Sequence, residues 1–296
     1  MSSYVFSPSI FQLIDLALEE DIGQGDVTSD AIFSDMHSAS AVVCAKEELI
    51  LSGTDVFGAV MTRLDNSVVV HHKKKDGEKV SKGDAVLEVF GKAKSVLMAE
   101  RTALNFLQRL SGIATKVSQM AQLLAGTSAV LVDTRKTLPG FRFLDKRAVQ
   151  HGGGQNHRAS LSSGILIKDN HIAAFGGVKA SVMRLKEMAP LGMTVEVEVT
   201  TIKELEEALQ AKADVVLLDN MDLKMVANAL QFIKTHSPSF RPLIEVSGGM
   251  NEKNIRDYAL LGVDRISVGA LTHSVKAVDL SLEFSIDKGA HEFKRN

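Results

Sequence analysis

The chain has 296 residues, of which 45% are apolar and 24% are charged, and 34 Lys and Arg residues nearly balance 36 Asp and Glu residues. This length is sufficient for two domains, and the composition is that of a globular protein, which excludes collagen-like and low-complexity chains. The formal charge of −2 excludes a protein whose whole surface binds nucleic acid or an anionic membrane. We therefore predict no nucleic-acid partner and no membrane partner, and any anion-binding site must be local.

Cysteine usage and the N-terminus indicate the compartment. Cys44 is the single cysteine of the sequence, which excludes an intramolecular disulfide and a cysteine-based zinc site. The N-terminus has no basic stretch before its apolar residues and soon carries Asp15 and Glu19, which does not fit a secretory signal. No apolar run approaches the roughly 18 residues that a membrane span needs. We predict a cytoplasmic protein in a reducing compartment.

The first half of the chain mixes helical and strand-like patterns. Ser7 and Pro8 suit the cap and the first turn of a helix that extends to about Glu19. Residues 95–124 repeat apolar side chains every three or four positions, which predicts one long amphipathic helix with Arg101 on its polar face. The Val-rich and alternating segments between these helices predict β-strands at residues 39–45 and 67–71 and, after two Gly turns, within 74–91.

After residue 129, six short runs of Val, Ile and Leu alternate with helix-like stretches, which predicts a parallel βα architecture. The residues at which these strands end are polar or Gly: Asp133, Lys168, Glu198, Asp219, Ser247 and Gly269. Ligands of parallel α/β folds bind at the carboxyl ends of the strands, so these positions predict one shared site. Six strands predict an incomplete barrel, and a final helix is expected from His273 to Phe284.

Positive charge concentrates in residues 133–171, which hold seven Lys or Arg against three Asp. Two interpretations stay open for a helical group of three of them, a solvated basic face or part of a site: Arg142, Lys146 and Arg147. The other four follow strands or a Gly loop, so we expect them to point inward together: Arg135, Lys136, Arg158 and Lys168. Because Arg binds carboxylate and phosphate oxygens two at a time, this group predicts a small ligand with more than one anionic group.

A metal site and a phosphate site are predicted at the ends of the later strands. Glu198 and Asp219 end consecutive strands, and two carboxylates without an adjacent basic residue suit Mg²⁺. Glu196 occupies the alternate position, so the register could be shifted by two residues. Residues 247–249, Ser-Gly-Gly, and residues 269–270, Gly-Ala, follow the last two strands, where barrel enzymes bind phosphate through backbone N–H groups.

Nine motifs follow one another along almost the whole chain: EEDIGQGDVTSD, ERTALNFLQRLSGIAT, DTRKTLPGFR, GGGQNHR, LIKDNH, VEVEV, LLDN, SGG and VGALTHS. Together they resemble the quinolinate phosphoribosyltransferase family. The resemblance implies an α/β protein with an N-terminal α/β sandwich domain, residues 1–112, and an open parallel α/β barrel, residues 113–272. Residues 273–296 would be a C-terminal helix that returns to the N-terminal domain.

The resemblance also implies an enzyme of NAD biosynthesis. It would convert quinolinate and phosphoribosyl pyrophosphate to nicotinate mononucleotide, CO₂ and pyrophosphate with Mg²⁺, as a homodimer with shared active sites. The pyridine dicarboxylate would be held by Arg135, His157, Arg158 and Lys168, with Arg101 reaching in from the partner chain. The sugar diphosphate and its metal would be held by Lys136, Glu198, Asp219, Ser247, Gly248, Gly269 and His273.

The remaining expected substrate contacts are Thr134, Gly249 and Ala270. Glu198 and Asp219 would be the metal ligands, and with Lys168 they are the expected catalytic residues. Decarboxylation next to a ribosylated ring nitrogen leaves a carbanion that needs a proton, and Lys168 is the donor that we select.

Two positions depart from the family pattern, and three other functions stay open. Ser160 and Ser163 stand where the family has a Gly and an Asp, so the geometry of a neighbouring basic side chain could differ. A transferase that acts on nicotinate or another aromatic acid is a close alternative. A biotinyl or lipoyl carrier is suggested by residues 76–91, and a non-catalytic metabolite sensor is the third alternative.

Overall fold

The computed structural model describes residues 6–286, which fall into two compact units. The first unit contains the chain up to Thr115 together with the chain from Val275 onward, and the second contains Lys116–Ser274. The helices are α1 Pro8–Ile22, α2 Val27–Ile32, α3 Thr54–Leu64, α4 Ala93–Leu123, α5 Arg142–His151, α6 Asp169–Phe175, α7 Val178–Met188, α8 Ile202–Gln210, α9 Leu223–His236, α10 Ile255–Leu260 and α11 Ala270–His273. The strands are β1 Ser38–Ala45, β2 Leu49–Ile50, β3 Val69–His72, β4 Lys79–Val80, β5 Ala85–Lys92, β6 Val130–Val132, β7 Ile165–Ile167, β8 Val195–Val199, β9 Val215–Asp219, β10 Leu243–Ser247, β11 Arg265–Ser267 and β12 Leu280–Ile286.

The first unit is built on an antiparallel sheet with the strand order β12-β1-β5-β3. Every second residue of β1 is buried from Ala39 to Ala45, which is the period of a strand that packs one face on a core. Ile14 of α1 and Phe57 of α3 are fully buried, and Ser7 and Pro8 begin α1 as the sequence predicts. This unit is the α/β domain expected for the first half of the chain.

The helix predicted from His273 to Phe284 is wrong. Only the short α11 is helical there, and residues 280–286 form the edge strand β12, which pairs with β1 from Ala39↔Ile286 to Ala45↔Leu280. The apolar residues Leu280, Leu282 and Phe284 alternate with Ser and Glu, a period of two that suits a strand. Residues 287–296 of the predicted helical segment lie outside the described residues.

The second unit is a parallel sheet with the strand order β6-β11-β10-β9-β8-β7. The six predicted strands are confirmed, and β6 and β7 do not pair with each other within residues 6–286. The sheet is therefore open between its first two strands, as the incomplete barrel requires. The loop that carries GGGQNHR runs beside the free edge of β6, where Gln155 forms a parallel bridge with Val132.

The helices in residues 6–286 include none that combines the length and the apolar character of a membrane span.

The return of the chain after α11 generates a stability prediction. A Cβ at Gly112 of α4 would lie 2.3 Å from the carbonyl oxygen of Lys276, so Gly112→Ala should destabilise the first unit by about 2–3 kcal/mol. Gly58 of α3 is also helical but faces open space, so Gly58→Ala should stabilise by about 0.5–1 kcal/mol through helix propensity. Urea unfolding followed by circular dichroism measures both changes, and stabilisation by both substitutions would contradict the close contact.

Candidate active site

A cavity of about 420 Å³ opens at the carboxyl ends of the parallel strands. The predicted site residues that line it are Thr134, Arg135, Lys136, His157, Arg158, Lys168, Glu198, Asp219, Ser247, Gly248 and Gly249. Polar residues that the sequence reasoning did not select also line it: Asn220, Glu245 and Ser267. The polar residues at the strand ends therefore predicted the position of the cavity. Glu245 and Ser267, which lie within their strands, and Asn220, which directly follows β9, were not predicted.

Two arginines face the cavity without carboxylate partners among the described residues. The Nε atom of Arg135 is buried and has no hydrogen-bond partner there. Arg158 donates from Nη1 to the carbonyl oxygen of Gly164 at 3.1 Å. Burial lowers the pKa of Arg158 because it disfavours the charged guanidinium. The nearby positive charge of Arg135 lowers this pKa further by repulsion. An anion that enters the cavity would relieve this repulsion.

The main chain of His157 is fixed by a buried ion pair. The Nζ atom of Lys146 lies 2.5 Å from Oδ1 of Asp133 and donates to the carbonyl oxygen of His157 at 2.9 Å. The same Oδ1 atom accepts the backbone N–H of His157 at 2.8 Å. Burial raises the pKa of Asp133 and lowers that of Lys146, since each charge has left water. This pair holds the residue before Arg158 at both of its peptide groups.

The structure shows where two residues of the helical basic group lie, Lys146 and Arg142. A solvated basic face is wrong for Lys146, which is only 4% exposed and belongs to the buried pair. Arg142 is partly buried and donates from Nη2 to the carbonyl oxygen of Arg135 at 3.2 Å. Sequence spacing alone could not separate these roles, because the partners lie in the segment after β6 and in the GGGQNHR loop.

A buried acidic pair lies next to the His157 ring. Nε2 of His157 is 3.0 Å from Oε2 of Glu196 and 3.7 Å from Oε1 of Glu245. Burial raises the pKa of Glu245 to about 7, and the nearby Glu196 charge raises it in the same direction. Burial lowers the pKa of His157, but the hydrogen bond and the charge of Glu196 outweigh burial and raise it overall. The sequence signal for both acids was a charge inside an otherwise apolar strand.

The predicted metal ligands lie at the rim of the cavity. Oε2 of Glu198 is 2.6 Å from Nζ of Lys168, and Oδ2 of Asp219 accepts from the side-chain amide of Asn220 at 2.6 Å. Both carboxylates are partly buried and line the same cavity. Carboxylate oxygens beside space for water and a ligand phosphate are the donor set that Mg²⁺ uses, so these residues fit the ion. The shift of register by two would put Glu196 at this rim, but Glu196 is buried and contacts His157.

Glycine is required beside Asn220. Gly248 has φ +93°, and a Cβ there would lie 2.1 Å from Oδ1 of Asn220. Asn220 itself has φ +54° and donates its backbone N–H to the carbonyl oxygen of Ser247 at 2.9 Å. The ends of β9 and β10 are thereby joined, with backbone N–H groups close to the cavity.

The other predicted residues do not line this cavity among residues 6–286. A Cβ at Gly269 would lie 3.0 Å from Cδ of Lys136 and 3.1 Å from Cδ2 of His273, so these residues are neighbours of the lining. Ala270 is the first residue of α11. Arg101 is an exposed residue of α4 in the first unit.

The Ser160–Ser163 loop closes on itself. The backbone N–H of Ser160 donates to Oγ of Ser163 at 2.9 Å, and that hydroxyl lies 3.3 Å from the carbonyl oxygen of Ser160. Neither serine lines the cavity of the described residues. Ser163 is therefore used in the turn before β7.

Comparison with known proteins agrees with this architecture. The chain matches models of the N-terminal domain of quinolinate phosphoribosyl transferase over residues 26–111 and of its C-terminal domain over residues 113–283. It is 42% identical over 276 residues to a probable nicotinate-nucleotide pyrophosphorylase (carboxylating) of Methanocaldococcus jannaschii, covering 92% of this chain and 96% of that protein. A Bacillus subtilis protein described in the same words is 40% identical and covers 92% of each chain. The structure of the nicotinate-nucleotide pyrophosphorylase from Francisella tularensis superposes with a TM-score of 0.88 at 39% identity, covering 95% of this chain and 98% of that one.

The Gly248 geometry gives a prediction with a matched control. Gly248→Ala combines an unfavourable φ with a collision against Asn220, so we expect a loss of about 2–4 kcal/mol in the free energy of unfolding. Gly249 has φ +65° with nothing within 4 Å of a Cβ, and Gly249→Ala should cost only about 1 kcal/mol. Urea denaturation of both variants is the measurement, and equal losses would show that the Asn220 contact is unimportant.

Proposed function

Because this chain belongs to the quinolinate phosphoribosyltransferase family, we propose that it transfers a phosphoribosyl group from phosphoribosyl pyrophosphate to quinolinate. The ring nitrogen of quinolinate attacks C1 of the ribose, and pyrophosphate leaves. The carboxylate next to that nitrogen then departs as CO₂, and the product is nicotinate mononucleotide, an intermediate of NAD biosynthesis. The α/β fold class and the family that the motifs indicated are both confirmed.

The observation that carries this proposal is the pair of cations Arg135 and Arg158 on one cavity wall. Quinolinate has two adjacent carboxylates, and two guanidinium groups that lack acidic partners among residues 6–286 match that charge. Lys168 is the third cation of the lining on this side. A monocarboxylate such as nicotinate would leave part of this charge without an anion. The structure therefore favours quinolinate over the nicotinate alternative.

A second wall, which meets the first where Lys168 contacts Glu198, suits the sugar diphosphate. Glu198 and Asp219 would hold Mg²⁺, and the backbone N–H groups of residues 247–249 together with Lys136 would bind phosphate oxygens. Gly269, Ala270 and His273 would extend this wall beside Lys136. When bound, the ion supplies positive charge to the leaving pyrophosphate.

Chemistry at the sugar depends on electrostatic positioning. Positive charge develops on the ribose as the bond to pyrophosphate breaks, and the Glu198 and Asp219 carboxylates lie on the wall assigned to the sugar. Loss of CO₂ leaves a carbanion next to the cationic ring nitrogen, and the Nζ atom of Lys168 would deliver the proton. Glu198, 2.6 Å from that Nζ atom, would hold the donor in position.

Turnover of quinolinate tests the proposal directly. The purified protein with Mg²⁺ and phosphoribosyl pyrophosphate should release CO₂ and pyrophosphate from quinolinate in equal amounts, and nicotinate should give less than about 1% of that rate because one carboxylate is missing. Carboxyl-labelled quinolinate with a coupled pyrophosphate assay measures both products. Pyrophosphate release from nicotinate without CO₂ from quinolinate would support the alternative substrate instead.

A homodimer with shared active sites completes the proposal, and the single cysteine supports a cytoplasmic location. Arg101 is exposed on α4, while the cavity lies wholly in the second unit, so a copy from a partner chain could serve it. Beside β7 an apolar hollow of about 560 Å³ includes Leu161 and Phe175, which are 72% and 54% exposed. Exposed apolar surface next to the opening of the sheet supports contact with a second chain.

Subunit mixing tests the shared site. Arg101→Ala and Lys168→Ala dimers should each be inactive, and an exchanged mixture should recover about one quarter of wild-type activity, since half of its dimers carry one intact site. Lys168→Ala mixed with Glu198→Ala is the control, because both changes fall in the same barrel and no intact site can form. Absence of recovery in exchanged Arg101 and Lys168 mixtures would contradict shared sites.

A further inference from the structure

The proposed reaction does not use two neighbouring buried acids, Glu245, which lines the cavity, and Glu196. Glu245 is fully buried and lines the cavity, and Glu196 is only 5% exposed. Both oxygens of Glu245 and Oε1 of Glu196 lack hydrogen-bond partners among the described residues. Buried carboxylates without partners destabilise a fold, so their presence at a ligand cavity calls for a role there.

The contact that links these acids to the binding wall is the ring of His157. Its Nε2 atom lies 3.0 Å from Oε2 of Glu196, and its Nδ1 atom accepts the backbone N–H of Arg158 at 2.7 Å. The two peptide groups of His157 are held by Asp133 and Lys146. Every polar group of this residue is therefore engaged, and the ring connects Glu196 to the main chain of Arg158.

The same three side chains have the composition of a metal site, since their ligand atoms all lie within 4.8 Å of one another. The hydrogen bond at Nδ1 argues against a metal. An imidazole nitrogen that accepts an N–H carries no proton, so in the neutral ring Nε2 carries it and cannot be a ligand. The contact between His157 and Glu196 is therefore a hydrogen bond from Nε2–H and not part of a metal site.

We propose that Glu196 is a positioning residue for the binding of the substrate carboxylates, an inference that rests on the proposed function. The Glu196 carboxylate accepts from Nε2–H of His157 and fixes the ring, and the ring fixes the peptide group of Arg158. The guanidinium of Arg158 is thereby held toward the cavity before substrate binds.

Steady-state kinetics of matched variants test the chain of contacts. Glu196→Leu removes the acceptor and should raise KM for quinolinate about tenfold or more, with kcat and KM for phosphoribosyl pyrophosphate changed less than about threefold. Glu196→Gln keeps an acceptor oxygen and should restore most of this loss. Arg158→Ala, which removes the guanidinium itself, sets the upper limit of the effect.

Two outcomes would overturn the proposal: an unchanged KM for quinolinate in Glu196→Leu, or equal losses for both substrates. A substrate-free measurement separates it from the proposed function and covers a variant that fails to fold. In ¹⁵N-histidine-labelled wild-type protein at alkaline pH, above the raised pKa of His157, the ring should show Nε2 protonated and Nδ1 unprotonated, with the signals assigned by their loss in His157→Gln. A ring protonated at both nitrogens would refute the arrangement even if quinolinate is the substrate, whereas absence of quinolinate turnover with this ring state would reject only the function.

Discussion

The buried ion pair between Asp133 and Lys146 is the interaction on which the cavity depends. The sheet is open between β6 and β7, and the GGGQNHR loop lies beside β6 at that opening, where Gln155 bridges to Val132 but His157 lies beyond this bridge. The pair supplies that fixation by binding the N–H and the carbonyl oxygen of His157. Removal of either partner would leave a buried charge uncompensated, which typically costs about 3–5 kcal/mol.

The strand order explains how the cations and the carboxylates of the lining are distributed over two walls of the cavity. Arg135, Arg158 and Lys168 follow β6, the loop beside it and β7, which flank the opening of the sheet. Glu198, Asp219 and Ser247 end the consecutive strands β8, β9 and β10 away from that opening. A dicarboxylate on the first wall and a metal-bound diphosphate on the second would therefore meet between them. The two walls meet at the neighbouring strands β7 and β8, where Nζ of Lys168 lies 2.6 Å from Oε2 of Glu198.

Much of the second unit could be predicted from local pattern, because apolar runs mark buried strands and their polar ends meet at one edge. Lys146 and Glu245 could not be predicted, since the value of a buried charge depends on a partner that spacing along the chain does not reveal. Strand β12 was missed because its pairing partner β1 precedes it by more than 230 residues, and because its alternating residues were assigned to the end of a helix that begins at His273. The proposed roles of Arg101 and His273 depend on contacts with a partner chain and with a ligand. A local sequence pattern does not reveal such contacts.

The most informative residues of this sequence are those that weaken its folding. Within β8 and β10, Glu196 and Glu245 occupy inward positions where Leu or Val would pack without loss of solvation. A sheet selected for stability alone would have apolar side chains there. The acids instead lie next to an imidazole whose other nitrogen receives the N–H of Arg158. A cavity that binds a doubly charged anion must hold its cations in place before the anion arrives, and such positioning uses polar contacts beneath the surface that the ligand touches.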